Sequence, residues 1–338
     1  MKILLISPTF SGIGGIAQHV RGLSQYMKNA GNEVDVLSSD NSFTIPIKGL
    51  KNPSFMLSSS LKTKFMKKHD IVHAHNIPSA KAMKNAKGKK ILTLHGIFSE
   101  QIDMLHGKTT GNFTKKYENS ALQWADAITV VSKEAQEYYK KFGFETYHIP
   151  NAIDIDSLPT SEKKMFDKQI IYVGRLSKEK GILELLSITK ELPDDVHLLI
   201  VGTGPEEDKV KLASKQDNIH YLGYLPPEQT IPLIRSSEIL IQPSLIEGIS
   251  TSVLEAMACK TAIIATNVGG NKELLTNRKT GILVENHNEI LGSVNELFSD
   301  ITSQESIVQN AVIEVQKYDW QNVGKQYLQL YSKLMNNS

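Results

Sequence analysis

One stretch constrains this chain more than any other: Gln242 to Met257, reading QPSLIEGISTSVLEAM. The apolar run Ile239-Leu240-Ile241 before it reads as a buried strand, and Pro243 ends that strand. Ser250 or Thr251 then caps a helix carrying Val253, Leu254, Met257 and Ala258. Two acids frame the turn, Glu247 in the loop and Glu255 just over one turn into the helix, eight positions apart. Between them, the backbone N–H groups of Gly248, Ile249, Ser250 and Thr251 lie at a helix N-terminus, a seat suited to a phosphate.

An acid beside an anion seat repels the anion unless it has a partner of its own. A sugar nucleotide supplies one, because hydroxyls flank its diphosphate on both sides. One glutamate can then hold a sugar and the other the ribose. A second loop fits the same ligand. Gln169 to Val173 reads as a strand, followed by Gly174-Arg175-Leu176-Ser177-Lys178-Glu179-Lys180-Gly181. Arg175 can grip two phosphate oxygens at once and Lys180 adds a point charge, with Lys178 as a third cation. Solvated cations are common on surface loops; the glycine-bounded strand-to-helix setting favours the diphosphate.

The first half opens with a strand from Lys2 to Ser7, a loop with Gly12, Gly14 and Gly15, a helix from Ile16 to Asn29, and a strand from Glu33 to Ser38. That is a βαβ entry. Gly12, Gly14 and Ala17 fit a dinucleotide fingerprint, with Asp40 after the second strand. The glycines stand five residues past the strand, too far for that fingerprint, and a looser loop suits backbone approach to a phosphate or an acceptor. His73 and His75 share one face of a strand from Asp70 to His75. No third ligand has suggestive spacing, so no metal site is expected. His95 ends the strand Lys90 to Leu94, where open α/β sheets bind ligands.

Composition sets the bounds. With 338 residues, two domains are expected. The single cysteine, Cys259, excludes a disulfide framework and reads as a small buried side chain. No signal peptide and no membrane span are evident, so the expected location is cytoplasmic. Residues 1–150 hold 20 Lys/Arg and 11 Asp/Glu, a net of +9; residues 151–338 hold 18 and 25, a net of −7. Between Lys48 and Lys90, eleven lysines face one acid, Asp70. That asymmetry hints at an anionic partner. The segment around Phe55, Met56, Leu57, Leu61, Phe65 and Met66 reads as an amphipathic helix with a basic face, packed on its domain or set against an anionic membrane surface.

The Glu247–Glu255 stretch resembles the E-x7-E motif of retaining glycosyltransferase family 4 (glycosyltransferase group 1), and Gly174–Gly181 resembles its G-R-x-x-x-x-K-G loop. Ala152 departs from the family's usual glycine at that position. The resemblance implies the GT-B fold, two Rossmann-like doubly wound α/β domains facing across a cleft. Residues 1–152 would bind the acceptor, 153–319 the nucleotide sugar, and a helix over about 320–338 would rejoin the first domain. It implies retaining transfer of a hexosyl unit from a nucleotide sugar, a UDP-sugar first and GDP-mannose next, to a glycan, lipid-linked or small-molecule acceptor.

By the same resemblance, Gly14 and Gly15 are the contact points of the N-terminal glycine loop for a phosphate or an acceptor, and Tyr224 and Leu225 hold the nucleobase. Glu247 orients the sugar, Glu255 the ribose, and His95 touches the sugar from the other side. Arg175, Lys180 and the helix N-terminus stabilise the leaving diphosphate, so no metal and no further cofactor is expected. Nucleic acid is not an expected partner. Rival readings are a nucleotide-sugar epimerase or a phosphorylase of the same fold, an NAD-dependent oxidoreductase built on Gly12, Gly14 and Asp40, and a non-catalytic carbohydrate-binding module.

Overall fold

The structure, a computed structural model, describes residues 1–12, 14–47, 50–98 and 108–336, the side chains of 108–114 excepted. The chain divides into two compact units, Met1–Ala152 with Trp320–Ser338, and Ile153–Asp319.

The first unit holds six parallel strands: β1 Lys2–Ile6, β2 Glu33–Leu37, β3 Ile71–His75, β4 Lys89–Leu94, β5 Ala127–Val130 and β6 Tyr147–His148. Their order is β2-β1-β3-β4-β5-β6. Alternate side chains of each strand enter different cores. Leu4, Ile6, Val72 and Leu92 pack on one face; Ile3, Leu5, Ile71 and Ile91 pack on the other. Burial on both faces is why these strands read as continuous apolar runs.

Two helices cover the second face, Gly15–Asn29 and Trp320–Asn336. The latter lays Val323, Tyr327, Leu330 and Tyr331 into the core of the first unit. The face its 3.6-residue period marks as apolar is therefore buried in that unit.

The second unit repeats the plan with β7 Lys168–Val173, β8 Val196–Val201, β9 Ile219–Gly223, β10 Ile239–Gln242, β11 Ala262–Thr266 and β12 Ile282–Val284. All pairings are parallel, in the order β12-β11-β10-β7-β8-β9. The polar run 155–167 ahead of β7 belongs to this unit. Lys163 N donates to Pro232 O at 3.0 Å, and Ser236 Oγ donates to Lys163 O at 2.7 Å.

One helix turns the expected way round only in part. Lys51–Phe65 buries Phe55, but its inward face is otherwise Ser59, Ser60 and Thr63. Ser59 Oγ donates to Phe55 O at 2.5 Å, and Asn85 Nδ2 reaches Ser60 Oγ at 2.7 Å. Ser59 is thus satisfied on its own helix and Ser60 by a neighbouring one, and their small size allows close packing. The large side chains Leu57, Leu61 and Phe65, four residues apart and so on one stripe, point outward.

Candidate active site

In an open parallel sheet, ligands bind outside the strand ends where the winding direction reverses. In the second unit that point lies between β7 and β10, which are paired neighbours. The loops leaving those two strands are the two predicted from sequence, Gly174–Gly181 and Pro243–Ser250. They touch through backbone. Leu245 N and Ile246 N donate to Glu179 O at 3.0 and 3.2 Å. Gly181 is left-handed, with φ of 66°, and a Cβ there would stand 1.7 Å from Pro243 O. Only glycine fits both demands.

This contact brings Lys180 to Glu247. The Lys180 ammonium lies 2.7 and 2.8 Å from the two carboxylate oxygens. Gln242 Nε2 and Ser244 Oγ each donate to Glu247 Oε2 at 2.9 Å. The carboxylate is 8% exposed yet has three donors, which keeps its charge tolerable at that depth. The array continues inward: Ser252 Oγ donates to Gln242 Oε1, and Ser250 Oγ bonds Ser252 Oγ, both at 3.0 Å.

Ser250, not Thr251, is the N-cap of Thr251–Cys259; its Oγ accepts from Val253 N at 3.4 Å. No acid lies in the helix's first turn, so the positive end of its dipole is not neutralised within the helix. Ile249 and Glu255 are buried, at 4% and 9% exposure.

Arg175 reaches solvent, 57% exposed, with its guanidinium 3.7 Å from Glu179. Beneath it, Tyr172 donates its hydroxyl to Arg175 O at 2.8 Å. Burial, then the charges of Glu247 and Glu179, push that phenol far above its ordinary range, so it stays a neutral donor. Tyr224 is exposed and Leu225 half-buried, after the left-handed Gly223 that closes β9. Thr230 Oγ1 fixes Leu225 O at 3.0 Å.

In the first unit, Gly14 is the N-cap of Gly15–Asn29, with φ of 112°. Arg21 Nη1 donates to Phe10 O at 2.5 Å and Gly12 O at 3.1 Å, shaping the glycine loop. Asp40 Oδ2 accepts from Ser11 N and Ser38 Oγ, each at 3.0 Å. The acid that a dinucleotide site would turn to a ribose instead braces this loop.

His95 follows β4, and its backbone N–H donates to Asn76 Oδ1 at 3.0 Å. Asn76 is itself left-handed, with φ of 60°. The His95 ring meets two others: Nε2 lies 3.2 Å from His75 Nδ1, and the His19 ring stands 5.0 Å away, edge-on. Burial lowers the His95 pKa to about 4 against a raising contact from Asn151, so the ring is neutral at pH 7. The sequence reading sought a third ligand for His73 and His75. The fold gives His75 two further neighbours, His19 and His95, beside the His73 ring stacked on it at 4.4 Å. It leaves His73 to Tyr331 Oη at 2.7 Å and Thr93 Oγ1 at 2.5 Å.

Sequence reasoning missed Gln242, Ser244, Asn76 and His19. Gln242 and Ser244 sit inside the quoted stretch, and their polarity at a strand's buried end was the available signal. His19 carries none, because only the β1–β3 pairing brings its helix to His75.

The sequence matches two family models: "Glycosyltransferase Family 4" over residues 13–157 and "Glycosyl transferases group 1" over 156–312. An uncharacterized glycosyltransferase of Methanocaldococcus jannaschii is 24% identical over 99% of both chains. The phosphatidyl-myo-inositol mannosyltransferase of Mycobacterium leprae is 25% identical over 98% of this chain and 96% of its own. Among solved structures, sucrose-phosphate synthase from Thermosynechococcus elongatus superposes with a TM-score of 0.83 at 20% identity, covering all of both chains. Anabaena HepE in complex with UDP-glucose gives 0.75 at 18% identity, over 98% of this chain and 100% of that one. At such identities the likeness is one of fold, and that fold is GT-B.

Proposed function

Given that this chain belongs to the family 4, group 1 glycosyltransferases and is a glycosyltransferase, we propose that it moves a hexosyl unit, with retention at the anomeric carbon, from a nucleotide sugar to a glycan or lipid-linked acceptor. The observation that carries this reading is the Lys180–Glu247 pair at the switch point of the second sheet, beside the N-terminus of Thr251–Cys259. A diphosphate draws Lys180 and Arg175 to itself and takes backbone N–H groups of Gly248, Ile249, Ser250 and Thr251. Glu247 then turns its freed acceptors to sugar hydroxyls. Glu255 is assigned the ribose, and Tyr224 and Leu225 the base.

As the C–O bond to the diphosphate breaks, negative charge grows on the leaving oxygen. Arg175, Lys180 and the helix dipole are preorganised for that charge, so the step needs no metal at the diphosphate. The leaving phosphate accepts the acceptor's proton on the same face. His95, a neutral imidazole offering one donor and one acceptor, is assigned to the sugar, and Gly14 and Gly15 to the acceptor side.

A UDP-sugar is the favoured donor, supported by the UDP-glucose complex of HepE; a mannosyl donor comes next, supported by the mannosyltransferase relative. For the acceptor, the stripe Leu57, Leu61 and Phe65, exposed by 61%, 52% and 87%, is flanked by exposed Lys62, Lys64, Lys67 and Lys68. An apolar stripe rimmed with cations suits an anionic lipid surface. Among the described residues no helix is long and apolar enough to cross a membrane, so such contact is peripheral.

A thermal-shift panel of UDP-, GDP- and ADP-sugars tests the donor. Product analysis with the stabilising donor then tests the reaction. A glycosylated acceptor supports the proposal; an isomerised donor with no transfer overturns it.

A further inference from the structure

We propose that His287 is a positioning residue for glycosyl transfer, its imidazole fixing the start of the loop that carries Glu247; its effect on turnover rests on the donor reading above, its hold on the loop does not.

Pro243 begins the loop after β10, and its carbonyl is held between two neighbours. His287 Nε2 lies 2.8 Å from Pro243 O. Against the same oxygen stands left-handed Gly181, whose backbone leaves no room there for a Cβ. A carbonyl oxygen only accepts, so the contact selects the imidazole form that carries a proton on Nε2. A peptide unit is planar, so holding the Pro243 carbonyl also sets the direction of the Ser244 N–H.

The peptide planes that follow are held in turn. Ser244 O accepts from Thr266 Oγ1 at 2.6 Å, Leu245 N and Ile246 N donate to Glu179 O, and Glu247 O accepts from Gly270 N at 3.1 Å. Backbone placement therefore aims the Glu247 carboxylate before Lys180, Gln242 and Ser244 reach it. His287 makes its contact from the turn after β12, two strands away from β10 in the sheet. That turn is braced. Glu289 Oε2 accepts from Glu285 N and Asn286 Oδ1 from Asn288 N, both at 3.1 Å. Asn267 Nδ2 ties Glu285 to the end of β11 at 2.7 Å, and Ile290 N donates to His287 O at 3.1 Å. A half-buried ring with its backbone fixed and its tip on Pro243 O transmits that bracing to the loop. Displacing a group beside the reacting atoms by about 1 Å can cost on the order of 10²-fold in rate.

The test compares three substitutions in the full chain. His287→Ala removes ring and donor. His287→Phe keeps the ring without the donor. His287→Gln restores an N–H donor at the same number of bonds from the backbone. Hydrogen exchange of peptides covering 244–250 reads the anchoring with no ligand present. It should run roughly tenfold faster in His287→Ala and His287→Phe, and within about twofold of wild type in His287→Gln. Kinetics use UDP-glucose, or the GDP- or ADP-sugar that stabilises the wild type. The kcat of folded protein should fall roughly tenfold in His287→Ala and His287→Phe and recover to within about twofold in His287→Gln. The Kd of the matching nucleoside diphosphate should stay within about threefold throughout, because it lacks the sugar assigned to Glu247.

A contact that only stabilises the fold would lower Tm and leave the kcat of folded protein unchanged, and that result overturns the proposal. Unchanged exchange in His287→Phe overturns it as well, as does a His287→Gln as impaired as His287→Phe. If His287→Ala fails to fold, His287→Phe against His287→Gln decides. A wild type that no sugar nucleotide stabilises overturns the donor reading and the role in turnover with it; faster exchange in His287→Phe would then still support the hold on the loop.

Discussion

Lys180 holds both oxygens of the Glu247 carboxylate, at 2.7 and 2.8 Å. The residue assigned to the diphosphate and the residue assigned to the sugar thus pair with each other. Each shields the other's charge in a partly closed setting, and a donor replaces one ion pair with two interactions. Removing either partner therefore has different consequences for stability and for turnover.

Arg175→Ala should lower kcat/KM by at least a hundredfold, about 2.7 kcal/mol of transition-state stabilisation, while leaving Tm unchanged. The side chain is more than half exposed, and its ion pair to Glu179 is a surface one. Lys180→Ala should lose turnover as severely but also lower Tm, because Glu247 keeps only Gln242 and Ser244 as donors. Steady-state kinetics beside thermal melts separate the two. Near-wild-type kinetics in both variants would remove the diphosphate role.

Glu247→Gln should reduce kcat by about 10²–10³-fold while changing UDP affinity only a few-fold, because UDP carries no transferred sugar. Calorimetric titration with UDP, compared with turnover of the sugar nucleotide, reads the difference. Equal losses in both would reassign Glu247 to the diphosphate.

Gly181→Ala places a methyl group 1.7 Å from Pro243 O at a left-handed residue. The two loops must separate. A stability loss of about 1–3 kcal/mol is expected, with activity falling further because Lys180 moves with its neighbour. Denaturant midpoints and kcat/KM measured on the same preparation check this.

Leu61→Glu and Phe65→Glu alter side chains that point to solvent, so the fold should hold. Both should abolish retention on vesicles with anionic lipid at low salt. Wild type that stays in the supernatant under the same conditions would end the membrane reading.

Cys259 is buried, and its thiol is pushed up to about 11 by that burial first, against Arg235 and with Glu255 adding to it. At pH 8 the thiolate fraction is then about one in a thousand, and the sulfur is covered. A thiol reagent should label the native protein hardly at all and react with one equivalent on unfolding. Fast labelling at pH 8 would contradict the packing.

Much of the candidate site is legible in the sequence. Gly174–Gly181 and Glu247–Glu255 each pair a β-strand with a loop and a helix start, so local sequence carries their geometry. Cys259 was legible from composition as a small buried side chain. What was not readable depends on strand order. Nothing near His19 in sequence announces His75, because only the pairing of β1 with β3 makes them neighbours. The orientation of Lys51–Phe65 was hidden for another reason: Ser59 and Thr63 bond the helix's own backbone and Ser60 takes the Asn85 amide, which lets a polar face turn inward. Asn76 was missed because a left-handed asparagine looks like any other in sequence.

The helix Trp320–Asn336 carries a further consequence. It seals the face on which Val20, Leu23 and Met27 pack, yet it is translated after everything in Ile153–Asp319. The opening half of the polypeptide must leave the ribosome with that surface bare and wait for the closing segment. The second unit, contiguous in sequence, can complete itself first. Assembly should therefore finish at the N-terminal unit.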